Sequence, residues 1–119
     1  MSFRLDIVRA YSIAEVQNAI STTMEKYTDL LPRLKSANIF IKPNMNSNMN
    51  SLTGNTTDLR VVAAIITDLQ RRGYKDITVG DGANSGFYRT GISVISRLSY
   101  DTLARHFNVK VVDLNRCER

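Results

Sequence analysis

Short apolar runs alternate with stretches in which apolar residues recur every three or four positions, and this pattern constrains the fold of the 119-residue chain most strongly. The runs predict four strands, at residues 3–8, 38–42, 76–80 and 109–113. The periodic stretches between them predict helices. Strands that alternate with helices form a parallel sheet covered by helices. The sequence therefore predicts the α/β class, as a Rossmann-like three-layer αβα fold with a mainly parallel four-stranded sheet.

Capping residues mark where the helices begin. Ser12 precedes Glu15 at the spacing of a capping box, so a first helix is expected to begin there. Thr56 or Thr57 is expected to cap a second helix that has Asp58 in its first turn. Two further short helices are expected between the last two strands.

The charge of the chain suggests an anionic partner but points to no particular one. Sixteen Lys and Arg residues outnumber eleven Asp and Glu residues, which gives a net charge of +5. The basic residues are scattered, and the chain has no Trp and no basic stretch interleaved with aromatic residues for stacking bases. A solvated basic surface therefore explains the charge better than a nucleic-acid interface, and nucleic-acid binding stays a third hypothesis.

The cysteine content and the apolar pattern favour the cytoplasm. Cys117 is the single cysteine and cannot form an internal disulfide, which suits a reducing compartment. No apolar run approaches the roughly 18 residues that would suggest a membrane-spanning helix. The first residues lack the layout of a signal peptide. We therefore expect a cytoplasmic location without membrane contact.

Two long polar loops follow the second and third predicted strands. They cover residues 42–57 and 80–90, whereas the connections in α/β units usually have about two to six residues. Ligands of open α/β sheets bind beyond the carboxyl ends of the strands. The sequence therefore predicts a ligand site between these two loops.

Lys42 and Asp81 are the candidate catalytic residues, because each directly follows or ends a predicted strand. At adjacent strand ends they could serve as proton donor and acceptor, or as an anion clamp and a metal ligand. A simple ion pair that ties the two loops together explains them equally well. The alternatives stay open at the level of sequence.

The remaining candidates would bind the ligand, and they are Asn44, Thr56, Thr57, Gly80, Gly82, Asn84 and Ser85. The two threonines precede a helix, whose first N–H groups favour phosphate or carboxylate, although plain capping would also account for them. The glycines border Asp81 and fit neither a P-loop nor a dinucleotide fingerprint, so a tight turn remains the alternative.

Metal and nucleophile chemistry has no support in the residue pattern. His106 and Cys117 each lack a partner at ligand spacing, and neither is expected to be a functional ligand. No hydrolase or zinc motif is present. We predict no metal site, and the cofactor is unknown.

Four segments of the chain together resemble, in order and spacing, the uncharacterised family named domain of unknown function three-six-two. They are Ile39–Asn44, Thr56–Thr57, Val79–Gly82 and Val111–Leu114. Members of that family are often joined to ferredoxin-like iron–sulfur modules and are usually longer. The resemblance therefore implies that the single α/β domain expected over residues 1–119 is an N-terminal portion of a longer protein. It also implies that any iron–sulfur cluster belongs to a missing C-terminal part.

Two functions from different classes compete for this chain. The first is binding of a small anionic ligand at the carboxyl ends of the strands, as a binding domain or as part of an enzyme. The second is a redox-associated module that works with an iron–sulfur partner. The oligomeric state, the substrate and the strand order are not specified by the sequence.

Overall fold

The computed structural model describes residues 3–47, 49–82, 91 and 93–116. In chain order, the helices and strands of these residues are α1 (Ile13–Glu25), β1 (Ile39–Ile41), α2 (Leu59–Arg71), β2 (Ile77–Asp81), α3 (Val94–Arg97), α4 (Tyr100–Phe107) and β3 (Lys110–Asp113). Two short 3-10 helices are also present, at Thr28–Leu30 and Ser51–Thr53. The α/β class is confirmed, and the strands predicted at 38–42, 76–80 and 109–113 form with each end shifted by no more than one residue.

The sheet built from the described residues has three parallel strands in the order β1-β2-β3. Ile39 pairs with Ile77, and Val79 pairs with Ile41 on one side and with Val111 on the other. Because all three strands run in one direction, their carboxyl ends meet at one edge of the sheet. The loops that follow β1 and β2 therefore begin side by side.

The hydrophobic core lies between the sheet and the helices. Val62 and Ile66 of α2 form one buried cluster with Ile77 and Val79 of β2, and Leu103 of α4 belongs to the same cluster. Helix α1 packs against α2. Helices α2 and α4 therefore cover the sheet face that carries Ile77 and Val79.

The opposite face of the sheet includes Thr78, which is only 9% exposed. Side chains alternate between the faces of a strand, so Gly80 lies on this opposite face. A Cβ atom at Gly80 would lie 2.6 Å from Val112 Cγ2 and 3.2 Å from Phe40 Cζ, so these two side chains close over the glycine. Phe40 is nevertheless 45% exposed. The predicted Rossmann-like three-layer arrangement is not confirmed by the described residues, in which α2 and α4 pack on the face that carries Ile77 and Val79.

The fourth strand, predicted over residues 3–8, does not form. The alternating apolar side chains of this segment are 90%, 83% and 87% exposed at Phe3, Leu5 and Ile7. The segment is held to the end of α1 instead, because the Asp6 carboxylate pairs with Lys26 and accepts a hydrogen bond from the Tyr27 hydroxyl, both at 2.7 Å. The prediction of a four-stranded sheet was wrong for the described residues, because an alternating pattern supplies an apolar face but no strand with which to pair.

The helix starts follow the predicted capping chemistry with one correction. Ser12 caps α1, and its Oγ accepts a hydrogen bond from Glu15 N at 3.1 Å. Asp58, rather than Thr56 or Thr57, caps α2 by accepting from Arg60 N at 2.9 Å. Among the described residues, no helix has the length and apolar character that crossing a membrane requires.

Candidate functional site

An ion pair joins the carboxyl ends of β1 and β2. Lys42 directly follows β1, and its Nζ lies 2.7 Å from Oδ1 of Asp81, the last residue of β2. The two side chains differ sharply in burial, since that of Lys42 is 62% exposed and that of Asp81 only 7%. The structure thus brings the two candidate catalytic residues together, in the ion-pair arrangement that the sequence left as one alternative.

The Asp81 carboxylate also organises the backbone around it. Its Oδ2 accepts a hydrogen bond from Met45 N at 2.8 Å, and the backbone N–H of Gly82 also stabilises the charged carboxylate. Burial favours the neutral carboxyl, but the bonds from Lys42, Met45 and Gly82 outweigh it, so the pKa of Asp81 lies below its usual value. Asp81 O accepts from Leu114 N at 3.1 Å, which adds the end of β3 to the same junction.

Asn44 and Thr57 fasten the two ends of the first loop to each other. Asn44 N donates to Thr57 Oγ1 at 2.9 Å, and Thr57 N donates to Asn44 O at 3.0 Å. The hydroxyl of Thr56, which is buried, donates to Met49 O at 3.0 Å. These hydrogen bonds explain why neither threonine caps α2: both hydroxyls already hold the loop closed.

The other candidate binding residues fall into two groups. Gly80 lies inside β2, where the contact with Val112 leaves no room for a side chain. Gly82 is exposed, follows the strand and donates its N–H to Asp81. Asn84 and Ser85 lie outside the described residues.

A polar cavity of about 230 Å³ opens beside the two threonines. Asn50, Ser51, Thr56 and Thr57 line one side of it, and Arg97 and Tyr100 line another. The cavity therefore lies between the first loop and the junction of α3 with α4. Within the part of the chain that the structure describes, it is a place at this edge of the sheet where a small molecule could contact several polar side chains at once.

Arg97 and Tyr100 were not among the residues singled out by sequence. The guanidinium of Arg97 forms no ion pair with any described residue. Tyr100 is 1% exposed, and its hydroxyl has no hydrogen-bond partner within the described part of the chain. Burial, together with the charges of Asp58 and Asp81, raises the pKa of Tyr100 to about 12. No sequence motif identifies either residue, because only the fold of the segment between β2 and β3 brings them to the cavity.

The described residues hold no group of three His, Cys, Asp or Glu side chains that could bind a metal ion. His106 lies exposed on α4, and its ring makes a T-shaped contact with that of Phe107, with 4.7 Å between the ring centroids. Cys117 lies outside the described residues. That neither residue is a functional ligand stays a prediction.

The fold and the site define an α/β domain with a parallel sheet and polar loops gathered at its carboxyl edge. A model of the family described as "Domain of unknown function (DUF362)" matches residues 39–119, and the chain belongs to this family. The match begins at β1, so α1 precedes it. Searches of curated proteins and of solved structures give no match to this chain.

Proposed function

We propose that this protein binds a small anionic ligand at the carboxyl edge of its sheet. The observation that carries the proposal is the polar cavity bordered by Thr56 and Thr57, whose lining includes the guanidinium-bearing Arg97, which forms no ion pair with the described residues. Polar groups and a cation that converge on one concave site are typical of binding sites for anions. The overall charge of +5 also favours the approach of a negative ligand.

The size of the cavity limits the ligand. Pockets that enclose drug-sized molecules have volumes of roughly 300–1,000 Å³. The cavity here has a volume of about 230 Å³. It therefore suits a small anion, or the charged group of a larger molecule whose remainder stays outside.

Lys42 and Asp81 have different tasks in this proposal. Neither residue lines the cavity, so the largely exposed Lys42 ammonium acts by attracting the negative ligand to this edge of the sheet, while Asp81 fixes the direction of the lysine side chain. Because the pKa of Asp81 is lowered, its carboxylate stays ionised near neutral pH and is a weak proton acceptor. An electrostatic and positioning task therefore suits Asp81 better than general-base catalysis.

A thermal-shift screen tests the proposal with phosphates, nucleotides and carboxylates. Each compound is added to the wild type, Lys42→Met and Asp81→Asn, and each protein is compared with its own ligand-free form. A bound ligand at a hundredfold excess over its Kd should stabilise the wild type by about 2.7 kcal/mol and the variants by less.

Lys75→Met is the matched control, because it removes the same charge from an exposed residue at the opposite end of β2. The control should keep the stabilisation of the wild type. Equal stabilisation of all variants would show that Lys42 and Asp81 do not contribute to the site. If no anion stabilised the wild type, the proposed function would be wrong.

A further inference from the structure

We propose that residues 3–7 form a docking segment through which two copies of this chain associate. The docking segment of one copy pairs antiparallel with that of a second copy, and Leu5 of each faces Leu5 of the other. This inference goes beyond the proposed function, because it concerns the residues before α1 and not the carboxyl edge of the sheet.

The docking segment presents a strip of apolar side chains to solvent. Phe3, Leu5 and Ile7 are all almost fully exposed. Exposed apolar residues that stand singly are common on protein surfaces, but neighbouring ones that form a patch usually mark an interaction site. Side chains of an extended chain alternate between two sides, so these three face the same way. They form one apolar strip.

The length of α1 requires the residues before it to be extended. Ser12 caps the start of this helix, whereas Asp6 pairs with Lys26 directly beyond its end. The 13 residues of α1 span about 20 Å. The stretch from Asp6 to Ser12 comes near this length only when it is largely extended, since each residue adds at most about 3.3–3.6 Å.

The polar side chains of the docking segment face α1 and hold the segment there. The Asp6 carboxylate lies 2.7 Å from Lys26 Nζ and 2.7 Å from the hydroxyl oxygen of Tyr27. Arg4 donates to Lys26 O at 3.4 Å, and its guanidinium lies 5.5 Å from the centre of the Tyr27 ring. The apolar strip therefore points away from the helix.

The backbone of these residues is free to pair with another strand. No backbone N–H or carbonyl group of residues 3–10 has a hydrogen-bond partner within the part of the chain that the structure describes. Unpaired backbone groups along an extended edge are a template for a further strand. The docking segment thus combines apolar side chains with a backbone that can form a ladder.

The sequence of the docking segment is complementary to itself in one antiparallel register. When two copies pair about Leu5, Phe3 of one copy faces Ile7 of the other on the apolar side. On the polar side, Arg4 of each copy faces Asp6 of the other. Such aromatic, β-branched and oppositely charged pairs stabilise antiparallel strands. The two-fold symmetry repeats each favourable pair.

The neighbouring registers are unfavourable. A shift by two residues in one direction places Arg4 opposite Arg4, and a shift in the other direction places Asp6 opposite Asp6. Like charges directly opposite each other destabilise a strand pair. A shift by one residue sets apolar side chains against charged ones. The charge pattern therefore favours a second copy of this chain as the partner, in a single register.

The second copy also supplies a carboxylate for Arg4, which forms no ion pair with any described residue. Asp6 can keep its bonds to Lys26 and Tyr27 at the same time, because an ionised carboxylate accepts several hydrogen bonds. Pairing of the two copies therefore adds contacts without breaking those that hold the docking segment to α1.

Sedimentation velocity over a range of protein concentrations tests the proposal. The mass should rise with concentration from 13.4 kDa towards twice that value. A segment this short forms an interface below the standard size, so the dimer should be weak. Leu5→Lys sets like charges opposite each other at the two-fold axis and should weaken the dimer by roughly tenfold or more. Leu52→Lys changes an equally exposed leucine of the first loop and should dimerise like the wild type.

Exchange of the charges separates direct pairing from an effect on the fold. Arg4→Asp gives the docking segment two acidic residues, and Asp6→Arg gives it two basic residues. Each variant alone should dimerise more weakly than the wild type. An equal mixture of the two variants should associate again, because each acidic side chain then faces a basic one. Loss of the contacts with α1 does not produce such a rescue.

A disulfide tests the register in a chain that also carries Cys117→Ser. Facing residues of paired strands are close enough for a disulfide, so Leu5→Cys should form a covalent dimer with oxidised glutathione. Phe3→Cys alone should not, because the two copies of residue 3 would lie about 14 Å apart. A mixture of Phe3→Cys with Ile7→Cys should form the covalent dimer.

A monomer at every concentration would overturn the proposal. Binding of that monomer to vesicles of phosphatidylcholine and phosphatidylserine would assign the apolar strip to a membrane surface instead. A dimer that Leu5→Lys does not weaken would show that the copies associate elsewhere. Cross-linking of Phe3→Cys as fast as that of Leu5→Cys would refute the register. These results are independent of the anion site, which the thermal-shift screen tests.

Discussion

Replacing Asp81 by asparagine should destabilise the fold far more than replacing its partner Lys42 by methionine. The Asp81 carboxylate is 7% exposed and accepts hydrogen bonds from the N–H groups of Met45 and Gly82 as well as the ion pair. Asparagine has nearly the same shape but carries an NH₂ group in place of one oxygen. The new NH₂ group would then face a backbone N–H group that donates to the carboxylate in the wild type, and neither of these two donors would have an acceptor.

The expected magnitude follows from the contacts at each end of the ion pair. An unsatisfied buried polar group costs about 1–3 kcal/mol, and exchanging a charged acceptor for a neutral one costs about 1 kcal/mol more. We therefore expect Asp81→Asn to lower the free energy of unfolding by about 2–4 kcal/mol. The Lys42 side chain is 62% exposed, and exposed ion pairs contribute about 0.2–1 kcal/mol. Lys42→Met should therefore cost no more than about 1 kcal/mol.

Urea unfolding at neutral pH measures both values, provided that the dependence on urea is the same in all variants. Asp76→Asn is the control, because Asp76 is 44% exposed at the other end of β2 and faces Lys110 at 3.8 Å. It should change the stability by no more than about 0.5 kcal/mol. A cost for Asp81→Asn as small as that for Lys42→Met would refute the conclusion that Asp81 ties the loops together.

Three further predictions concern the same framework. Gly80→Ala should lower the free energy of unfolding by about 1–3 kcal/mol in urea titrations, because the added methyl group would lie 2.6 Å from the backbone oxygen of Val112. Asp58→Ala removes the cap of α2 and its hydrogen bond to Arg60 N, and should cost about 1 kcal/mol in thermal unfolding. Because the pKa of Asp81 is lowered in the folded protein, the ionised carboxylate stabilises the fold. This stabilisation is complete above the pKa of the aspartate in the unfolded chain, about 3.9, and is lost as the pH falls through the lower pKa of the folded state. Acid titration should therefore destabilise the wild type more than Asp81→Asn between those values.

The sequence predicted the sheet where local pattern and tertiary environment agree. The apolar runs of β1, β2 and β3 are bounded by polar residues and pair with one another. The alternation in residues 3–8 is just as regular, yet the segment pairs with no strand among the described residues. Periodicity identifies an apolar face, but whether a sheet edge is available depends on the assembled fold.

The same limit applies to the site. Lys42 and Asp81 could be placed together because parallel neighbouring strands end at one edge. The closure of the first loop by Thr57 and Asn44 could not be predicted, since a hydroxyl before a helix usually caps it. Arg97 and Tyr100 were missed because only the path of the chain after β2 brings them to the cavity.

An amide NMR titration of the wild type with inorganic phosphate tests the central claim most directly. The proposal predicts saturable shifts concentrated at residues 56–59 and 97–100, the two segments that meet at the cavity. Small shifts that never saturate and that spread over exposed basic residues such as Lys26, Arg33 and Lys35 would contradict it.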